Sequence, residues 1–225
     1  MQAVNEGAGP EHSFGVNIRL PFEQKANPVL EGNPRLITYK YFFNRKVAFL
    51  KEADAVALFP GGFGTLDEAM ETLTLVQTGK RNPLPLVLVD DPSCSYWERL
   101  IDLFEGTLRP KGYIGDTDFS LFERVCTVDE AIGAIARFYR RYHSLRYVNG
   151  KLVLRMSSPL PDERIAELTA RFQDILVPGG RIEASATLPE EAEEADIVSL
   201  PRLVVDFNRK DFGMLRKLVD AVNEE

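Results

Sequence analysis

The sequence predicts an α/β protein: a doubly wound parallel sheet over residues 1–145 and a small C-terminal α+β module over residues 146–225. Three observations carry this reading. Short apolar runs alternate with segments whose apolar residues recur at helical spacing. One such run, residues 53–59, enters the turn Pro60-Gly61-Gly62-Phe63-Gly64-Thr65, and a helical pattern begins at once after it. From Arg146 the order becomes βαββα, that of a ferredoxin-like sandwich without its final strand.

Residues 1–7 read as a helix that begins in its middle, with no N-cap. A short strand is expected at 13–18, then a loop at 20–27 whose Glu23 and Gln24 either satisfy loop backbone or approach a ligand or a partner subunit. Residues 35–39 form the next strand. Residues 42–52 form a helix with Phe42, Phe43, Val47 and Leu50 on one side and Arg45 opposite part of that side. After the glycine turn a helix is expected at 66–78, and Asp67 complements the dipole of its first turn. Residues 84–90 read as a strand buried on both faces, with Pro83 and Pro85 confined to its start. An amphipathic helix at 95–105 carries Trp97, Leu100, Ile101 and Phe104; a strand near 122–127 and a helix at 128–142 complete the alternation.

In the second module the expected strands are 147–156, 181–186 and 202–207, with helices at 162–173 and 211–222. The acidic stretch 190–194 reads as a solvated connection. No catalytic cluster stands out, so the module is expected to serve interaction or regulation, its missing strand leaving an edge open to a second chain.

The formal net charge of −7 argues against a nucleic-acid partner, which calls for a basic face. No apolar run approaches the roughly 20 residues of a membrane helix, and no basic-then-apolar leader opens the chain, so a cytoplasmic protein without a membrane partner is expected. Cys94 and Cys126 are expected as reduced thiols, and with His12 and His143 they offer no metal-binding spacing; no metal is expected.

The glycine turn admits two readings. Gly61, Gly62 and Gly64 let backbone approach a ligand, the first free N–H groups of the helix favour an anion, and the Thr65 hydroxyl adds a donor: a phosphate seat. Alternatively, Thr65-Leu66-Asp67-Glu68 is a capping box and needs no ligand.

Four segments taken together, Phe42-Phe43-Asn44-Arg45-Lys46, Ala53-Asp54-Ala55, the glycine turn with Glu68, and Leu75-Val76-Gln77-Thr78-Gly79-Lys80, resemble the LOG family. These are the cytokinin riboside 5′-monophosphate phosphoribohydrolases, also labelled lysine decarboxylase-like, with an Arg-Lys pair followed by PGGxGTxxE. Residues 20–27 resemble the family's loop after its third strand, and the likeness covers roughly the first two thirds of the chain. It implies a Rossmann-like fold. In that family a helix like the one at Met1 comes after two strands and another glycine-rich turn, so an N-terminally incomplete sheet and an upstream start are expected.

The resemblance further implies a hydrolase acting on the N-glycosyl bond of a nucleoside 5′-monophosphate, AMP by default, giving free base and ribose 5-phosphate without a cofactor. It implies Arg45 and Glu68 as the catalytic pair, Lys46 as a weaker substrate contact, and a homodimer. Decarboxylation finds no support, because pyridoxal phosphate needs a lysine set in a phosphate cup and none here has that setting. The alternative function is a nucleotide-binding sensor without turnover.

Overall fold

The structure, a computed structural model, describes residues 2–19, 27–90, 95–193 and 195–224. The loop carrying Glu23 and Gln24, and Cys94, lie outside the described residues. The chain divides into two units, Met1–Ala53 and Asp54–Glu225.

In the first unit, helix α1 (Gln2–Ala8) precedes strands β1 (Gly15–Ile18) and β2 (Leu36–Tyr39), which pair in parallel with Gly15 opposite Leu36 and Ile18 opposite Tyr39. Gly15 is needed because a Cβ there would crowd the side chains of Leu36 and Leu30. Asn27 caps the turn Pro28–Leu30 by accepting from the Val29 N–H at 3.1 Å. Helix α2 (Phe42–Glu52) has the expected bounds, yet of its apolar side only Leu50 is buried, while Phe42, Phe43 and Val47 are exposed. A sheet of two four-residue strands offers little surface for the helix to cover.

The second unit begins with β3 (Val56–Leu58), α3 (Phe63–Gln77), β4 (Leu86–Val89), α4 (Tyr96–Leu103), β5 (Glu123–Val125) and α5 (Val128–Phe138). The three strands form a parallel sheet in the order β3-β4-β5, with Val56 opposite Leu86 and Val87 opposite Glu123. Central β4 is buried at all four residues, as its unbroken apolar run requires. The parallel strands with flanking helices are thus those of a Rossmann-like α/β protein, divided between a two-stranded and a three-stranded sheet.

Helix α5 opens on a capping box between Thr127 and Glu130 and ends at Phe138, short of the expected 142. The chain then enters a strand, β6 (Tyr142–Val148), and turns through Asn149-Gly150 into β7 (Lys151–Met156). Both turn residues have positive φ, 49° and 84°, as a two-residue hairpin of right-handed twist demands. The single expected strand at 147–156 is therefore a hairpin, and the expected boundary at 145/146 falls inside β6.

Beyond the hairpin come α6 (Asp162–Arg171), β8 (Ile182–Ser185), β9 (Arg202–Val205) and α7 (Phe212–Asn223). The sheet runs β6-β7-β9-β8, every pair antiparallel. This corrects the expected βαββα: it is the ferredoxin-like order, with the strand missing from the end supplied from in front by β6. A register irregularity between Tyr142 and Ser144 breaks the alternation of β6, which hides the strand in the sequence.

Leu152, Leu154, Leu203 and Val205 face α6 and α7 and pack with Leu168, Phe172, Leu218 and Val222 into the largest core. Helix α7 also closes on the parallel part of this unit: the Arg216 Nη1 donates to the Leu84 carbonyl at 3.1 Å, and the Ser120 hydroxyl donates to the Gly213 carbonyl at 2.7 Å. A Cβ on Gly213 would collide with the Thr117 carbonyl, backbone that has little room to yield. Gly213→Ala is expected to lower the melting temperature by several degrees, since overpacking costs about 1–3 kcal/mol. An unchanged thermal melt would show that α7 tolerates a larger separation.

In the acidic stretch Glu190, Ala192 and Glu193 are exposed, as expected of a solvated connection, but Glu191 departs from it. Glu191 is 0% exposed, between Arg155 and Arg202 on the sheet face opposite α6 and α7, where Val148, Val153 and Val204 pack with Leu188. Among the described residues no helix is long and apolar enough to cross a membrane.

Candidate functional site

The glycine turn lies at the carboxyl end of β3, where open α/β sheets receive ligands. Helix α3 starts at Phe63, three residues before the expected Leu66, and Gly62 occupies the N-cap with no side-chain cap. The Thr65 and Leu66 N–H groups donate to the Gly62 carbonyl at 3.0 and 3.2 Å. Thr65 is thus in the first turn and does not cap it, which removes the capping-box reading. Asp67, the fifth helical residue, is correspondingly past the first turn and does not complement it.

Three backbone donors, the N–H groups of Gly62, Phe63 and Gly64, carry no partner among the described residues. Around Gly62 and Gly64 the space a side chain would fill is open to 4 Å. Gly61 differs: a Cβ there would run into the Thr65 hydroxyl, which folds back over the turn. The arrangement is an open nest of N–H groups at the positive end of a 15-residue helix, with one hydroxyl beside it. Chemically it can take an anion.

Glu68 lies on α3 one turn beyond Gly64 and is half-buried; the Thr72 hydroxyl donates to its backbone carbonyl at 2.7 Å. The turn therefore brings Gly61, Gly62, Gly64, Thr65 and Glu68 into one contiguous element. Arg45 and Lys46 are carried by the first unit, on α2, and both are half-buried. The Arg45 guanidinium lies 5.6 Å from the centre of the Phe42 ring and 5.7 Å from that of Phe49, so the two aromatics hold it on the helix surface.

Two features escape sequence reasoning. Phe63 is 92% exposed and presents an aromatic ring beside the free donors. The Tyr96 hydroxyl, from α4, donates to the Gly61 carbonyl at 2.9 Å; nothing in the sequence links residues so far apart. An apolar cavity of about 110 Å³ lies farther along α3, against Met70, Leu73, Thr74 and Gln77. Among the described residues no group of three or more His, Cys, Asp or Glu side chains is arranged to hold a metal ion.

A family model described as "Possible lysine decarboxylase" matches residues 1–135. Among curated proteins, the chain is 25% identical over 138 residues to a cytokinin riboside 5′-monophosphate phosphoribohydrolase of Arabidopsis thaliana, covering 61% of this chain and 60% of that protein. It is 35% identical over 100 residues to one of Oryza sativa subsp. japonica, covering 42% and 39%, and 32% identical over 90 residues to another of Arabidopsis thaliana, covering 40% of each. The chain thus matches between 39% and 60% of the length of these relatives.

Proposed function

This chain belongs to the LOG family, the family of the possible lysine decarboxylase model, and from that premise we propose that it hydrolyses the N-glycosidic bond of a nucleoside 5′-monophosphate. The observation that carries the proposal is the open glycine turn, with three N–H groups that have no partner among the described residues and a glutamate one helical turn away. The relatives' names supply the reaction class.

In this reading the 5′-phosphate sits on the N–H groups of Gly62, Phe63 and Gly64 and on the Thr65 hydroxyl, with Gly61 keeping the turn tight. Glu68, repelled by phosphate, faces the ribose. As the bond from C1′ to the base nitrogen breaks, positive charge develops on the sugar, and the Glu68 carboxylate stabilises it and orients the attacking water. Water adds its hydroxyl to C1′ and its proton balances the departing base, so AMP and water give adenine and ribose 5-phosphate. The family resemblance assigns Arg45 a catalytic role toward the base or the phosphate, and Lys46 a weaker substrate contact.

The module that opens with β6 is, in this reading, an interaction or regulatory part. A cytoplasmic homodimer is the assembly we assign to it.

The test is chromatographic detection of adenine and ribose 5-phosphate after incubation with AMP or adenosine. Equal release of both products is expected from AMP, with adenosine at least about 10²-fold slower, because hydrogen bonds to a charged group contribute roughly 1.5–3 kcal/mol each. Binding of AMP without release of adenine would replace the hydrolase by the sensor.

A further inference from the structure

The anion seat is built on three glycines, Gly61, Gly62 and Gly64. Between Gly61 and Gly62 nothing in the residues themselves fixes the peptide plane, since glycine adopts either sign of φ with similar ease. A donor nest works only if its N–H groups are held in one direction before the ligand arrives. The Tyr96 hydroxyl bonds to the carbonyl of that peptide plane.

The route runs back to the sheet. Trp97, fully buried, is fastened to the carboxyl end of β4 by two hydrogen bonds: its backbone N–H donates to Asp90 Oδ2 and its indole Nε1 to the Val89 carbonyl, each at 3.2 Å. The Tyr96 ring stands edge-on to the Trp97 ring, at 4.7 Å between centres and 89° between planes. From this anchored position the Tyr96 hydroxyl donates to the Gly61 carbonyl at 2.9 Å.

In a trans peptide the C=O and the following N–H point in opposite directions. With the Gly61 carbonyl turned to Tyr96, the Gly62 N–H is turned away from it, and a Cβ on Gly62 would meet nothing within 4 Å. We propose that Tyr96 is a positioning residue of the phosphate seat, orienting the Gly62 N–H toward the 5′-phosphate through its hydrogen bond to Gly61. The role of Tyr96 rests on the nucleotide reading above. It acts on the phosphate alone and makes no contact with the reacting bond.

Tyr96→Phe removes the hydroxyl and keeps the ring against Trp97, so the melting temperature is expected to stay within about 2 °C of the parent. Binding is read by titration calorimetry with ribose 5-phosphate and with adenosine as probes. The variant is expected to bind ribose 5-phosphate about 5–10-fold more weakly and adenosine unchanged, and the KM for AMP rises by the same factor while kcat stays within about twofold. Equal ribose 5-phosphate affinity in parent and variant would overturn the role of Tyr96 and leave the phosphate seat standing. Equal weakening for both probes would reduce Tyr96 to a general structural contact. A parent without affinity for ribose 5-phosphate would overturn the seat itself.

Discussion

Release of adenine from AMP is expected to fall by about 10²–10⁴-fold in Glu68→Ala, the range that a positioned carboxylate contributes to a transition state. The KM should change little, since the phosphate donors are backbone groups of Gly62, Phe63 and Gly64 that the substitution does not touch. Alanine is the best helix former, and Glu68 is only half-buried in the interior of α3, so the variant is expected to fold. Glu68→Gln should lose nearly as much activity while keeping the shape of the side chain, which isolates the charge. Equal adenine release from parent and both variants would remove Glu68 from the chemistry.

A second large effect is expected far from the turn. Glu191 accepts from Arg155 Nε at 2.9 Å and from Arg202 Nε at 3.0 Å, one arginine on each carboxylate oxygen. Arg155 is 7% exposed and Arg202 1%, so Glu191→Ala leaves two guanidinium groups with much reduced compensation. Breaking such a buried pair from one side costs about 3–5 kcal/mol, which for a chain of this size is a drop of roughly 6–20 °C in melting temperature. Replacing all three residues together by apolar side chains should restore much of the loss, because desolvating the ions is itself costly. A Glu191→Ala variant that melts with the parent would show that the triad contributes nothing net.

The same site sets an acid limit. Burial pushes the Glu191 carboxyl up, but the hydrogen bonds from Arg202 and Arg155 outweigh it and hold the group below the usual glutamate range. A carboxylate lowered in the folded state stabilises the fold above its unfolded pKa, about 4.3, and this contribution disappears as pH falls through the lowered value. Acid unfolding of the parent should therefore show a component below about pH 4 that Glu191→Ala lacks.

The sequence by itself determined whatever depends on near neighbours. The buried run of β4, the bounds of α2 and the order of strand, glycine turn and helix come from local periodicity and from the conformational range of glycine. The family was legible too, because its signature is contiguous in Gly61 to Glu68 and near-contiguous in Arg45 and Lys46.

Only the tertiary structure decided the rest. Thr65 had the spacing of a cap, but α3 begins at Phe63 with Gly62 in the N-cap position, so Thr65 falls inside the first turn. β6 was hidden by its irregular register, and its place is fixed by pairing with β7 across the Asn149-Gly150 turn, although that dipeptide was itself a readable hairpin signal. Glu191 sits in an acidic run that composition assigns to solvent; two arginines on separate strands bury it. Tyr96 reaches Gly61 from another element altogether. Periodicity and motif spacing report what a residue can do alone, whereas burial, charge pairing and the aim of a hydrogen bond depend on partners that only the folded chain brings within reach.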